Sequence, residues 1–247
     1  MSSTTTTGAG HTAGMGTLYE SIEAYWKLDE ASAGDEAQTR LDSVGTYPLT
    51  DYNTATSSTG GKIGNCLQCE STNSEYLYTS LAENDALVGD TGDWTFACWA
   101  KPDTKINNGR IVASWPGMGA NKSWMVEIRY TNPRYHWSAT VYEYDAGGST
   151  IVRATDDTVA SVVSDQWSHL IAQHDDGTSI RLKIDNGSWI TTSCTGGIAH
   201  KASPPDFKMG GNAYYDGLID EAGFWSRLLT DDECSWLYNS GDGLSLY

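Results

Sequence analysis

Residues 166–175 (QWSHLIAQHD), 178–185 (TSIRLKID) and 188–192 (SWITT) alternate apolar and polar side chains, and only Asp176-Gly177 and Asn186-Gly187 stand at the junctions. Alternation with a period of two is the signature of a half-buried strand. A two-residue turn containing Gly closes such strands into hairpins, because Gly accepts the backbone angles that tight turns demand. Together these segments predict a β-meander. The same texture recurs upstream in residues 21–28 (SIEAYWKL), 75–81, 110–115, 123–130, 135–144 and 149–157, broken by Asn107-Asn108-Gly109, Asn132-Pro133 and Ala146-Gly147-Gly148. Residues 93–101 (DWTFACWAK) are apolar on both faces, as a strand inside a sheet must be. With residues 206–211 added, about a dozen short strands without a repeating period predict an all-β fold, a two-sheet antiparallel β-sandwich of jelly-roll type.

The last thirty residues close that fold. Residues 217–225 read as a strand, and Thr230-Asp231-Asp232-Glu233 then opens one short C-terminal helix. The Thr230 hydroxyl is placed to accept from the amide of Glu233, and the Glu233 carboxylate from the amide of Thr230, a capping box. Cys234, Leu237 and Tyr238 form its apolar stripe, and Asn239-Ser240-Gly241 ends it. Strict alternation puts the adjacent acids Asp220 and Glu221 on opposite faces, where they share no substrate.

Charge narrows the function. Fifteen basic and 32 acidic residues leave a net charge of −17, which excludes a phosphate-backbone ligand and docking on anionic membranes. No nucleic acid and no membrane are expected as partners. Ten Trp and 14 Tyr against three Phe favour rings that pack on one side and hydrogen-bond on the other. Five cysteines, an odd number, fit a reducing compartment. Cys66-Leu67-Gln68-Cys69 lies in strand-like sequence, which sends its two sulfurs to opposite faces and predicts buried free thiols. Residues 1–17 (MSSTTTTGAGHTAGMGT) form an extended Thr/Gly-rich arm ahead of a domain at 18–247, with neither the basic nor the apolar region of a secretory signal. Such backbone suits addition to the sheet edge of another chain.

An ordered set of motifs resembles the laminin-G-like branch of the concanavalin A-like lectin/glucanase superfamily. It comprises Ala24-Tyr25-Trp26-Lys27-Leu28-Asp29-Glu30, Asp42-Ser43-Val44-Gly45, Gly61-Lys62-Ile63-Gly64-Asn65, Trp94 to Lys101, Trp167-Ser168-His169-Leu170, Asp185-Asn186-Gly187, Phe207-Lys208-Met209-Gly210-Gly211 and Gly217-Leu218-Ile219-Asp220-Glu221. The resemblance implies a concanavalin A-like jelly roll over residues 18–247. It also implies a candidate structural Ca²⁺, with Asp29, Asp42 and Asp220 as the acids inside family motifs. The ending Leu237 to Ser245 resembles bacteriophage-encoded members of this branch. With the arm, it points to a non-enzymatic virion structural protein, a capsid decoration or fibre-type surface protein. Its expected partners are other virion proteins, the major capsid protein or neighbouring copies in a homo-oligomer, held through residues 1–17. A host-surface glycan is the candidate ligand, and Trp115 and Trp124, which flank a Gly-rich loop, with Tyr214 and Tyr215, are the candidate sugar-stacking residues. The alternative is an extracellular or cell-surface carbohydrate-binding lectin, and behind it a glycoside hydrolase. For the last, the nearest approach to a glucanase acid pattern is Glu143-Tyr144-Asp145, which lacks a third acid.

Overall fold

The alternating segments become strands of two stacked sheets. A computed structural model describes residues 16–30, 39–114, 124–145, 148–157, 162–196, 198, 206–211 and 214–247. In chain order the strands are β1 (Ile22–Trp26), β2 (Thr39–Arg40), β3 (Leu49–Tyr52), β4 (Thr56–Ser58), β5 (Cys66–Cys69), β6 (Tyr76–Thr79), β7 (Trp94–Pro102) and β8 (Gly109–Ser114). They continue as β9 (Trp124–Thr131), β10 (Arg134–Asp145), β11 (Gly148–Thr155), β12 (Ser168–Asp175), β13 (Ser179–Ile184), β14 (Ile190–Ser193), β15 (Phe207–Met209) and β16 (Gly217–Trp225). Helix α1 spans Asp231–Tyr238. Sheet A runs β14-β13-β12-β7-β16-β5-β4, with β1 also on β16, and sheet B runs β11-β10-β9-β8-β15-β6-β3-β2. All pairs are antiparallel, which gives the expected jelly-roll sandwich.

Strand β7 lies between β12 and β16, and eight of its nine residues are buried. The meander β12-β13-β14 forms as its turns predict, with one refinement: Asp185 and Asn186 carry the positive φ angles of the second turn. Between the sheets, inward-facing side chains of each pack into one core. Trp124 of β9 is its hub, with ring centroids 4.8 Å from Trp94, 5.5 Å from Phe96, 5.6 Å from Phe224 and 6.1 Å from Phe207.

The outer face of sheet A carries a second apolar cluster of Leu18, Tyr25, Ala97, Ile171, Trp225, Leu229, Cys234, Leu237 and Leu246. It belongs to α1 and to the segments at both ends of the described chain. The capping box is present: Glu233 N donates to Thr230 Oγ1 at 3.3 Å, and Thr230 N donates to Glu233 Oε2 at 2.8 Å. Arg227 clamps Glu233 with two further bonds, of 2.8 and 2.6 Å, and donates to the Thr17 and Glu20 carbonyls at 2.6 and 3.0 Å. Gly16 and Thr17, placed in the arm by composition, thus lie in a short 3-10 turn (Gly16–Tyr19) tied to the domain. The rest of the arm, residues 1–15, lies outside the described residues.

Candidate functional site

With one face of sheet A closed by α1 and the chain ends, the other outward face of the sandwich is that of sheet B. Antiparallel registers align one cross-strand row over all eight strands: Thr39, Thr50, Tyr78, Lys208, Ala113, Met125, Thr140 and Arg153. Partners directly opposite in an antiparallel pair point to the same face. Inward neighbours such as Leu77, Val112, Val126, Ala139 and Val152 belong to the core, so the row points outward.

One end of this face is a tyrosine terrace. Tyr76 and Tyr78 share the outward face of β6, and Tyr52 sits opposite Tyr76 on β3. The Tyr52 and Tyr76 rings stack at 4.5 Å with planes 19° apart, and Tyr78 meets Tyr76 edge-on at 6.1 Å. Lys208 Nζ lies 4.9 Å from the Tyr76 ring centroid. A Cβ at Gly211 would come within 3.0 Å of Tyr76 Cγ, so glycine is what lets the ring lie against the backbone there. Burial and the nearby Tyr52, Tyr214, Asp206 and Tyr78 raise the Tyr76 phenol above its ordinary pKa, which places Tyr214 on the same terrace. Tyr52 is 45 % exposed and Tyr214 38 %. The terrace therefore offers open aromatic faces beside a cation and the carboxylate of Asp206.

Of the three sugar-stacking candidates among the described residues, only Tyr214 stands here. Trp124 and Tyr215 are fully buried. The Trp124 indole N–H donates to the Leu87 carbonyl at 3.0 Å, and the Tyr215 hydroxyl donates to the Leu218 carbonyl at 3.3 Å, so neither has a face for a ligand. Trp115 and the Gly-rich loop after it lie outside the described residues. Tyr52, Tyr76 and Tyr78 were not among the candidates. Their signal is the Tyr-Leu-Tyr alternation in residues 76–78, which marks a face; what that face meets is set by pairing with distant strands.

The three acids proposed for calcium do not form a site. Asp42 accepts four backbone N–H bonds, from Tyr25, Val44, Thr46 and Tyr47, at 2.8–2.9 Å. Asp29 accepts from Asn65 N at 2.7 Å and pairs with Lys27 at 3.4 Å, while Asp220 accepts from Ile63 N and Glu221 N at 2.9 Å each. Asp29 and Asp220 brace one loop, and Asp42 closes a turn beside β1. Among the described residues no three His, Cys, Asp or Glu side chains gather to hold a metal ion. Oxygens already committed to backbone amides do not fit a calcium cage.

A laminin-G family model, described as the concanavalin A-like lectin/glucanases superfamily, matches residues 72–235. The chain belongs to this superfamily. Curated protein sequences hold no match to this concanavalin A-like chain. Among solved structures it is similar to domain 4 of AbnA, a GH43 extracellular arabinanase from Geobacillus stearothermophilus, in complex with arabinotriose. There the TM-score is 0.63 and the identity 14 %, over 90 % of this chain and 98 % of that one. It is also similar to the botulinum neurotoxin serotype D binding domain (TM-score 0.65, 12 % identity, 92 % of this chain and 52 % of that one). A third similar structure is that of botulinum neurotoxin type C, whose cell entry depends on two ganglioside molecules (TM-score 0.64, 11 % identity, 92 % and 52 %). The chain spans about half the length of the two toxin structures. At these identities the likeness shows the fold.

One expectation about the acids of this concanavalin A-like domain is reversed. A bulge interrupts the pairing of β16 with β7 between Asp220 and Gly223, and Glu221 takes a positive φ of 47°. The bulge lets Ile219 and Ala222 both face the core while Asp220 and Glu221 both leave it on the outer side. They share a face after all, but a sealed one. The Tyr25 hydroxyl donates its one proton to Glu221 and accepts from Leu246 N at 3.3 Å, with the Leu244 carbonyl 3.2 Å away. Burial pushes the Asp220 carboxyl up to about 8, against the pull of the Ile63 amide and with a further push from Glu221. Burial likewise pushes Glu221 up to about 7, against the Tyr25 bond. Glu143 is buried and accepts from Gly196 N at 3.2 Å. Cys66, Cys69, Cys98, Cys194 and Cys234 are all buried free thiols. His169 is buried beside Trp99, at 4.9 Å between ring centroids, and burial drives its imidazole down to about 3, where it is neutral. No helix among the described residues is long and apolar enough to cross a membrane.

Proposed function

We propose that the protein is a non-enzymatic, lectin-like display domain that binds carbohydrate on the outward face of sheet B. The tyrosine terrace carries this reading. Stacked, half-open rings beside Lys208 and Asp206 match what a sugar presents, an apolar ring face edged with hydroxyls. The sealing of Asp220 and Glu221 beneath Tyr25 and the C-terminal segment supports a binding role over hydrolysis, which needs two carboxyl groups open to the glycosidic bond. The place of display we propose is a virion surface. The Thr/Gly-rich composition of residues 1–15, suited to holding neighbouring subunits, and the phage-like ending at Leu237 to Ser245 support it.

Screening the full chain on a glycan array, followed by titration of hits with Tyr52→Ala and Tyr214→Ala, tests the binding. Each variant should lose about five- to tenfold in affinity, or roughly 1–1.4 kcal/mol, with its thermal stability little changed. Affinities equal to the unmodified protein's would remove the terrace from consideration. For the virion reading, a chain lacking residues 1–15 keeps the Thr17 contact with Arg227 and should fold yet fail to join particles. Normal incorporation of that truncation would sink the arm's role.

A further inference from the structure

A polar cleft opens at the tip of the β9–β10 hairpin. Its walls are Thr131, Asn132, Pro133, Arg134 and Asp157, its floor is His136, and its volume is about 330 Å³. The opposed pairs Thr131–Arg134 and Arg129–His136 fall at every second residue from the outward pair Met125–Thr140, so they point outward as well. The cleft therefore shares the outward face of sheet B with the tyrosine terrace. From β6 to β10 the two stand four strand spacings apart, or about 19 Å.

The five wall residues are all exposed, and the tip that carries four of them is braced. Tyr130 N donates to Asn107 Oδ1 at 2.9 Å, and the Tyr130 hydroxyl donates to Asn132 Oδ1 at 3.2 Å. That second bond engages the carbonyl oxygen of the Asn132 side chain and leaves its N–H groups as the open donors. His136 Nδ1 donates to the Asp156 carbonyl, which holds the floor ring in one orientation. The residue is only 3 % exposed, so it supplies a fixed floor while the walls supply the bonds. Arg134 and Asp157 bring a cation and an anion to the same cleft, yet among the described residues neither belongs to an ion pair. A guanidinium and a carboxylate that do not neutralise each other keep their charge-assisted hydrogen bonds for a third party.

We propose that this cleft is a second carbohydrate subsite that takes one neutral sugar ring, with Asp157 accepting from its hydroxyls, Arg134 and Asn132 donating to their oxygens, and Thr131 doing either. A sugar hydroxyl donates and accepts at once, so neighbouring hydroxyls suit a wall that carries both donors and acceptors. A simple anion would meet the like charge of Asp157, and a simple cation that of Arg134. The volume lies near the lower end for ligand clefts, which begin at about 300 Å³, and so suits a single ring. With about 19 Å between them, cleft and terrace each hold a ring of their own.

This subsite rests on the carbohydrate reading above, and one experiment lets the two fail separately. The full chain, labelled for NMR, is titrated with the methyl glycosides of glucose, galactose, mannose and N-acetylglucosamine, and with glycine and sodium acetate as a zwitterion and an anion. At least one glycoside is expected to shift the amides of Thr131, Arg134 and Asp157 saturably, with a Kd of about 1–10 mM. Asp157→Asn and Arg134→Gln should each weaken that response about tenfold, the loss of a hydrogen bond to a charged group, and leave any shifts at Tyr52, Tyr76 and Tyr78 as they were. Tyr52→Ala should do the reverse. Shifts confined to the three tyrosines overturn the cleft and leave the terrace standing. Glycine or acetate binding in the cleft as tightly as every glycoside overturns it too, since the hydroxyls then contribute nothing. An unchanged affinity at the cleft in both variants does the same. No shift at either place overturns both readings.

Discussion

Replacing Glu233 by Gln isolates what its charge contributes to the clamp between α1 and the start of the domain. Glutamine also serves at this position of a capping box, so the bond from Thr230 N survives. What is lost is the double contact of the carboxylate with Arg227, at 2.8 and 2.6 Å, on a side chain only 3 % exposed. Burial raises the Glu233 carboxyl, but the Arg227 bonds outweigh it and, with the Thr230 amide, bring it down to about 2 from an ordinary 4.5. That difference corresponds to about 3 kcal/mol, discounted to roughly 2–3 kcal/mol because Arg227 is partly open to solvent. A depressed carboxyl contributes fully above its unfolded value and loses its contribution as pH falls through its folded value. Glu233→Gln should therefore cost about 2–3 kcal/mol at pH 7, a fall in Tm of roughly 4–12 °C for a domain this size. The cost should vanish between pH 4.5 and 2. Urea unfolding of both proteins at pH 7, 4 and 3 reads it directly. A cost unchanged at pH 3 would show that shape, and not ionisation, makes the clamp.

Glu221→Gln has the opposite sign. A carboxyl raised to about 7 favours folding most below pH 4.5, and that advantage erodes as pH rises to 7. The variant should thus gain about 1–3 kcal/mol relative to the unmodified protein between pH 5 and pH 8; paired thermal melts that differ equally at both pH values would refute it. The five thiols are expected to be silent in the native protein. Burial pushes Cys66, Cys194 and Cys234 up to about 12 and Cys69 and Cys98 higher still. A thiol reagent at pH 8 should label none within minutes and all five in denaturant, and rapid native labelling would refute their burial.

What could be read from the sequence was local. The capping box of α1, the turns of the β12-β13-β14 meander and the two-faced apolar β7 each depend on residues a few positions apart. The terrace does not, because Tyr52, Tyr76 and Lys208 come from strands whose order only the folded sheet fixes. Trp124 was legible and was misjudged. Trp124, Val126 and Ile128 are the apolar half of an alternating strand, which assigns the ring to the interior whatever loop precedes it. The shared face of Asp220 and Glu221 was not legible, since an alternation rule counts residues and the bulge adds one.

The clamp at Arg227 also decides how the domain bears a load. A tether pulling on the chain ahead of Gly16 would act on a turn whose Thr17 carbonyl is hydrogen-bonded to Arg227 and whose Leu18 carbonyl accepts from the Trp225 indole at 2.7 Å. Beyond that turn, β1 is zipped to β16 through residues 22–26. Tension from the N-terminal side would thus spread at once into the C-terminal strand and helix, across sheet A. The tyrosine terrace proposed to hold a glycan belongs to the other sheet, so traction on a ligand bound there and traction on such a tether would enter the domain through different strands.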